Sequence, residues 1–227
     1  MELDYTVVRS RKRKRTISLN VKTDGTAVVR VPYRTPVSEI QRFCREKEEW
    51  LARKVGEIRE RKKETRAKTF TRGEKFLFLG EPYPLTIETL TLMPEKLALH
   101  SGQFVVSGDE TSQIRSIFID WYRARAQEYI GTRVGHFSQL LGLAPKGIKI
   151  SNARCRWGSC SQDDRLYFSW RIMMAPPAVI DYLVVHELAH MKEKNHSRSF
   201  WELVTDTIPG YRSDRTWLRD HGHILDI

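Results

Sequence analysis

At 227 residues, 40% apolar and 30% charged, the chain is long enough to bury a real core and too apolar to stay disordered as a whole, while no apolar run reaches the roughly 20 residues of a membrane span. Its 39 Lys and Arg exceed 28 Asp and Glu, a formal net charge of +11 that favours polyanionic partners without naming one. Cys44, Cys155 and Cys160 form no disulfide framework or thiolate zinc knuckle, and the start, with Glu2 and Asp4, lacks the basic head of a secretion signal, so a cytoplasmic protein with no membrane partner is expected.

In chain order, the first feature is a basic block, Arg9, Arg11, Lys12, Arg13, Lys14 and Arg15. It reads either as an arm for phosphates or as the solvated end of a strand. The strand reading is preferred, because Thr16 to Val21 alternates apolar and polar residues and Asp24-Gly25 then offers a hairpin turn before Ala27 to Val31. Thr35 and Pro36 start a helix running to about Lys68, with Val37, Ile40, Phe43, Trp50, Leu51, Val55 and Ile58 on one stripe; its charged end, from Arg59, projects into solvent. Short apolar runs between Phe70 and Val106, separated by Gly80, Pro84, Pro94 and Gly102, predict strands. The polar stretch 107–111 marks a boundary between halves 1–110 and 111–227.

From Ser112 a long amphipathic helix is predicted, with Ile114, Ile117, Phe118, Trp121, Val134, Phe137, Leu140 and Leu141 buried and Gly142 as its end. A hairpin follows: Ile148 to Arg156 is one arm, Ser161 to Asp164 the turn, and Leu166, Phe168, Trp170 and Ile172 the inner face of the other. Pro176-Pro177 opens the next helix.

That helix carries His186-Glu187-Leu188-Ala189-His190, the H-E-x-x-H pattern. Residues four apart stack on one helix face, so both imidazoles can reach one ion at about 2.0–2.1 Å. Glu187 lies about 100° around the axis, where it can serve a metal-bound water as base without coordinating. The apolar neighbours Leu183, Val184, Val185, Leu188 and Ala189 would make unpartnered imidazoles costly. His196 comes ten residues after His186. On a continued helix it would be out of reach; if the helix stops near Asn195 through an αL residue, His196 folds back as a third ligand. Three imidazoles with one open position is how catalytic zinc sites are built. Glu202, with Asp206 on the next apparent helix, competes for the third place or else orients an imidazole. His221 and His223 read as surface groups or oxyanion stabilisers, His100 and His136 receive no role, and nothing near Cys160 argues for a nucleophilic thiolate.

In Arg156-Trp157-Gly158-Ser159-Cys160, Trp157 can wall a cleft, Gly158 allows close backbone approach, and Arg156 can meet a carboxylate or phosphate; the alternative is a packed strand end. That segment, together with Pro176, the run Asp181 to His190, Asn195-His196-Ser197, Phe200-Trp201 and Leu79-Gly80-Glu81-Pro82-Tyr83, resembles the YgjP-like zinc metallopeptidase family across essentially the whole chain. The resemblance implies zinc on His186, His190 and His196, with Glu187 as catalytic base or acid. It also implies an α+β fold, a β-rich N-terminal half and a zincin-like catalytic half in which a small antiparallel sheet lies over the H-E-x-x-H helix. The histidine spacing matches the metzincins too, but Glu193 replaces their glycine and no methionine follows Met191.

The leading functional expectation is zinc-dependent hydrolysis of a peptide or protein substrate. A second is nucleotide hydrolysis, because some proteins of the resembling family are assigned UTP pyrophosphatase activity; a third is a nucleic-acid-associated protease or binding module.

Overall fold

The computed structural model describes residues 5–22, 25–64, 67–88, 96–107 and 113–227, and the chain falls into two compact units, 1–66 and 67–227. In the first unit, β1 (Tyr5–Ser10), β2 (Ser18–Val21) and β3 (Ala27–Pro32) form a sheet in the order β1-β3-β2. The expected hairpin is present as the antiparallel pair β2–β3, with Val21 opposite Ala27, and β1 adds a parallel strand on the other side of β3. Asp24 of the expected turn lies outside the described residues; Gly25 has φ +90°, a backbone that glycine adopts without strain.

The basic block occupies the end of β1 and the connection to β2. Arg9 donates to the carbonyls of Tyr33 and Thr35, both at 2.8 Å, and Arg13 donates to Ser18 Oγ at 3.0 Å. Two of the six cations therefore close strand ends. The single long helix expected after Pro36 is two helices, α1 (Val37–Glu46) and α2 (Glu48–Glu64), because the Lys47 amide bonds to Cys44 O at 3.1 Å and tightens the last turn of α1. Ile40 and Cys44 of α1 pack on Val29 and Val31. The side chains at 59–64, where the helix was expected to enter solvent, lie outside the described set.

The second unit begins with β4 (Lys75–Phe78), β5 (Glu81–Glu88), β6 (Leu97–His100) and β7 (Gln103–Ser107), a four-stranded sheet ordered β4-β5-β7-β6. The turn Leu79-Gly80 that joins β4 to β5 has both residues at positive φ, 51° and 87°, as a tight hairpin requires. Its amides bond to Met173 O and Met174 O, and a Cβ on Gly80 would come within 3.0 Å of Pro176. This turn thus braces the chain just before the histidine-bearing helix.

α3 (Ile114–Leu141) supplies the spine and ends, as expected, at Gly142 in the αL conformation. Its buried stripe includes Phe118, Tyr122, Ala126, Ile130, Val134 and Phe137, whereas Leu140, expected inside, is 63% exposed. The stripe steps by three and four from Val134 to Phe137 and Ser138, which turns position 140 outward. Residues before the 107–111 boundary and after it share one core: Phe76 stacks on Phe118 at 4.3 Å, and Leu85, Leu97 and Phe104 belong to the same cluster as Val185 and Leu188. The boundary segment itself, from residue 108, lies outside the described residues.

The three-stranded sheet formed by residues 147–169 is mixed, which corrects the purely antiparallel expectation. β8 (Gly147–Ser151) pairs in parallel with β10 (Arg165–Ser169), and the antiparallel hairpin partner of β10 is β9 (Gly158–Cys160). Residues 152–157 cross from one edge to the other and are anchored by Ser169, whose amide donates to Trp157 O and whose hydroxyl donates to Ala153 O, each at 2.8 Å. Trp170 and Ile172 are buried in a 3₁₀ turn, Trp170–Met174, and not on a strand. α4 (Pro177–Lys192), α5 (Arg198–Thr207), α6 (Tyr211–His221) and a 3₁₀ turn, Gly222–Ile224, complete the unit. Among the described residues no helix is long and apolar enough to cross a membrane.

Arg171, 3% exposed, lies 4.2 Å over the Trp170 ring and donates to Asp226 Oδ1 at 2.7 Å and Asn152 Oδ1 at 2.9 Å. Arg171→Ala is expected to cost about 2–3 kcal/mol, since it leaves Asp226 with only Arg154 at 4.0 Å and empties a filled site. Chemical denaturation of the variant beside the parent checks this; an unchanged midpoint contradicts it.

Candidate metal centre

α4 is apolar on most of its circumference, with Val184, Val185, Leu188 and Ala189 fully buried, so its orientation is fixed by packing. His186 and His190 then fall one turn apart on a single face, ring centroids 4.9 Å apart. The helix ends at Lys192 and leaves through Glu193 in an extended conformation, φ −124° and ψ 100°, and not through the αL residue expected near Asn195. The Glu193 amide still bonds to Ala189 O, and its carbonyl lies 3.0 Å from His190 Nδ1, so the first residue of the reversal also holds that ring. Ser197 Oγ accepts from the Phe200 amide at 3.3 Å and caps α5.

Between these two anchors His196 is turned back onto α4. Its Nε2 lies 3.1 Å from His186 Nε2, and donor atoms of His186, His190 and His196 all lie within 4.8 Å of one another. Phe200 packs against all three rings at 4.6–5.0 Å between centroids, and Trp201 stacks on His196 at 5.6 Å. The result is an imidazole cluster on an aromatic floor.

Two observations test whether this cluster fits a cation. Two ring nitrogens facing each other at 3.1 Å share at most one proton between them, and a cation between the rings satisfies both. Burial, then the neighbouring His190, His196 and Arg215, push the His186 pKa down to about 3; burial and then His190 and Arg215 also lower that of His196. Both rings are thus neutral at pH 7, the form that binds metal. A set of three imidazoles suits zinc and related transition metals and is a poor match for magnesium or calcium.

Glu187, next to His186 in the chain, is 4% exposed, and its Oε2 has no hydrogen-bond partner among the described residues. Burial raises its pKa to about 8, partly offset by the charge of Arg156. Gly158 lies directly against this carboxyl: a Cβ there would sit 2.5 Å from Oε1 and 2.7 Å from Cγ. Gly158 and Arg156 are therefore brought to Glu187. Trp157 instead packs on Gly222, where a Cβ would come within 2.9 Å of the indole.

Glu202, the competitor for the third place, pairs with Arg198 at 2.7 Å on the outer face of α5, and Asp206 is exposed. His221 is exposed and stacks on Trp217, His223 is half-buried, and His100 and His136 are exposed. Burial raises the Cys160 thiol pKa, which agrees with an inert cysteine. Arg215, near enough to influence two of the histidines, was not singled out from the sequence; its only signal there is the i, i+4 spacing from Tyr211 on α6.

The family model for the YgjP-like metallopeptidase domain matches residues 15–221. A curated relative, the UTP pyrophosphatase of Escherichia coli (strain K12), is 42% identical over 76 residues, which is 32% of this chain and 46% of that protein; the chain thus spans under half the length of the curated relative it matches. Among solved structures, the metallopeptidase zymogen of Pyrococcus abyssi abylysin is similar with 23% identity and a TM-score of 0.37, over 41% of this chain and 92% of the other. With the family match running from the first unit to the last helix, the chain belongs to the YgjP-like metallopeptidase domain family.

Proposed function

We propose that the protein is a zinc metallopeptidase in which His186, His190 and His196 hold the ion and Glu187 moves the proton. The observation that carries this reading is the convergence of three imidazoles beside a buried carboxyl whose Oε2 has no hydrogen-bond partner among the described residues. Zinc bound there supplies Lewis acidity, which makes water acidic enough to react near neutral pH and polarises the scissile carbonyl. Glu187 accepts the proton of the attacking water and gives it to the departing amine as the C–N bond breaks. Burial raises the pKa of Glu187, and the positive charge of a bound zinc ion would draw it back toward the carboxylate form that accepts a proton. Gly158 leaves room for the carboxyl and no more. β9, an edge strand of its sheet, offers backbone groups beside Glu187 with which an extended substrate can pair.

The 42% identity to a UTP pyrophosphatase supports a second reading, attack of water on a nucleoside triphosphate with release of pyrophosphate. Magnesium for that reaction would arrive with the nucleotide, since the imidazole set does not favour it. Parallel incubation of zinc-loaded protein with denatured casein and with UTP separates the two. Chelator-sensitive casein fragments are expected; pyrophosphate release with intact casein would contradict the peptidase reading.

Gly158→Ala is expected to lower casein cleavage about 100-fold with zinc still bound, because the added methyl displaces Glu187 by close to an ångström. Metal content and initial rate of the purified variant check this, and full activity would show that the carboxyl need not sit where it does.

A further inference from the structure

Beside the histidines, α5 and α6 border an open, shallow cleft of about 520 Å³ whose lining includes Arg198, Trp201, Glu202, Tyr211, Arg212 and Arg215. One wall is a continuous aromatic stack that begins in the metal centre. His196 stacks on Trp201 at 5.6 Å and 22°, and Trp201 stacks on Tyr211 at 5.3 Å and 17°. The Arg215 guanidinium lies 4.6 Å over the Trp201 ring, and that of Arg212 is 6.0 Å from Tyr211.

The charges do not balance. Glu202 is committed to Arg198 at 2.7 Å, whereas among the described residues neither Arg212 nor Arg215 has a carboxylate within 4.0 Å. A guanidinium already resting on an indole has given up much of its side-chain freedom, so binding a carboxylate costs it little more, and its planar fork suits two parallel hydrogen bonds.

We infer that this cleft is a specificity subsite for an acidic side chain, Asp or Glu, of the peptide substrate, with Arg215 as its bidentate partner and Arg212 reinforcing the positive field. The identity of the ligand rests on the peptidase reading. The path from Arg215 through Trp201 to the His196 ring spans at most roughly 10 Å, or about three residues of extended peptide, so the acidic residue falls within three positions of the scissile bond.

Binding tests this without turnover. Labelled peptides that differ only in Glu, Gln or Lys, stepped through three positions on each side of a central apolar pair, are titrated into zinc-loaded Glu187→Gln protein and followed by fluorescence anisotropy. At one position Glu is expected to bind about tenfold tighter than Gln, as a charge-assisted pair warrants, and Lys weaker than either. Adding Arg215→Gln is expected to remove that advantage, and Arg215→Lys to keep part of it through charge alone. Circular dichroism confirms that each variant is folded, which the exposure of Arg215 favours.

Equal binding of Glu and Gln peptides at every position overturns the subsite, as does a Glu advantage that survives both Arg215→Gln and Arg212→Gln. UTP displacing the Glu peptide at concentrations below the peptide's own Kd would reassign the anion from carboxylate to phosphate and overturn it as well. Cleavage by the unmutated protein is read separately. An Arg215-dependent Glu preference without cleavage refutes the peptidase reading and keeps the subsite, whereas cleavage of Glu and Gln peptides with equal KM and kcat refutes the subsite alone.

Discussion

Glu187→Gln is expected to lower casein cleavage by about 10²–10⁴-fold while zinc content stays at the parent level. The amide has nearly the same shape as the carboxyl and fits the same buried slot against Gly158, so the fold has no reason to change. What the amide lacks is a basic oxygen for the proton of the attacking water. The side chain is 4% exposed, so bulk water has little access to replace it. Initial rates and metal analysis on the same preparations decide the matter. Undiminished hydrolysis removes Glu187 from the reaction; loss of zinc together with activity gives it a structural role at the ion instead.

His196→Ala is expected to weaken zinc binding by more than about 100-fold, because even groups that merely orient a ligand are worth 10- to 100-fold in affinity. His196 sits on the exposed reversal between α4 and α5, so its removal empties no core, and the effect is read cleanly as metal affinity by competition with a chelating dye. Glu202→Ala serves as the contrast. Glu202 faces Arg198 on the outside of α5, and its loss is expected to leave zinc affinity within about twofold, the scale of an exposed ion pair. A reversed pattern, zinc retained without His196 and lost without Glu202, would assign the third place to the carboxylate.

Much of this centre is legible in the sequence because its parts are local. His186, Glu187 and His190 are fixed by helical spacing alone, and α4 follows from Pro176-Pro177 and its apolar run. Whether His196 returns depends on how the chain leaves the helix. The expected αL exit gives way to an extended Glu193 held by the Ala189 and His190 contacts, a detail that no single residue type dictates. Nonlocal pairing was the least legible part. The period-two pattern found β10, but an alternating run carries no information on whether β8 joins it parallel or antiparallel, and the crossing at 152–157 depends on Ser169 reaching Trp157 and Ala153. Gly158 was legible as a site of close approach but not as the neighbour of Glu187, since 29 positions of chain separate them. Arg215 was invisible for the same reason, its meaning arising only when α6 brings it over Trp201.

X-ray absorption at the zinc edge, on protein loaded with one equivalent of metal, tests the three-imidazole centre most directly. Three histidine nitrogens at about 2.0–2.1 Å, falling to two in the His196→Ala protein, are the expected result. A shell containing sulfur, or one imidazole in the unmutated protein, would contradict it.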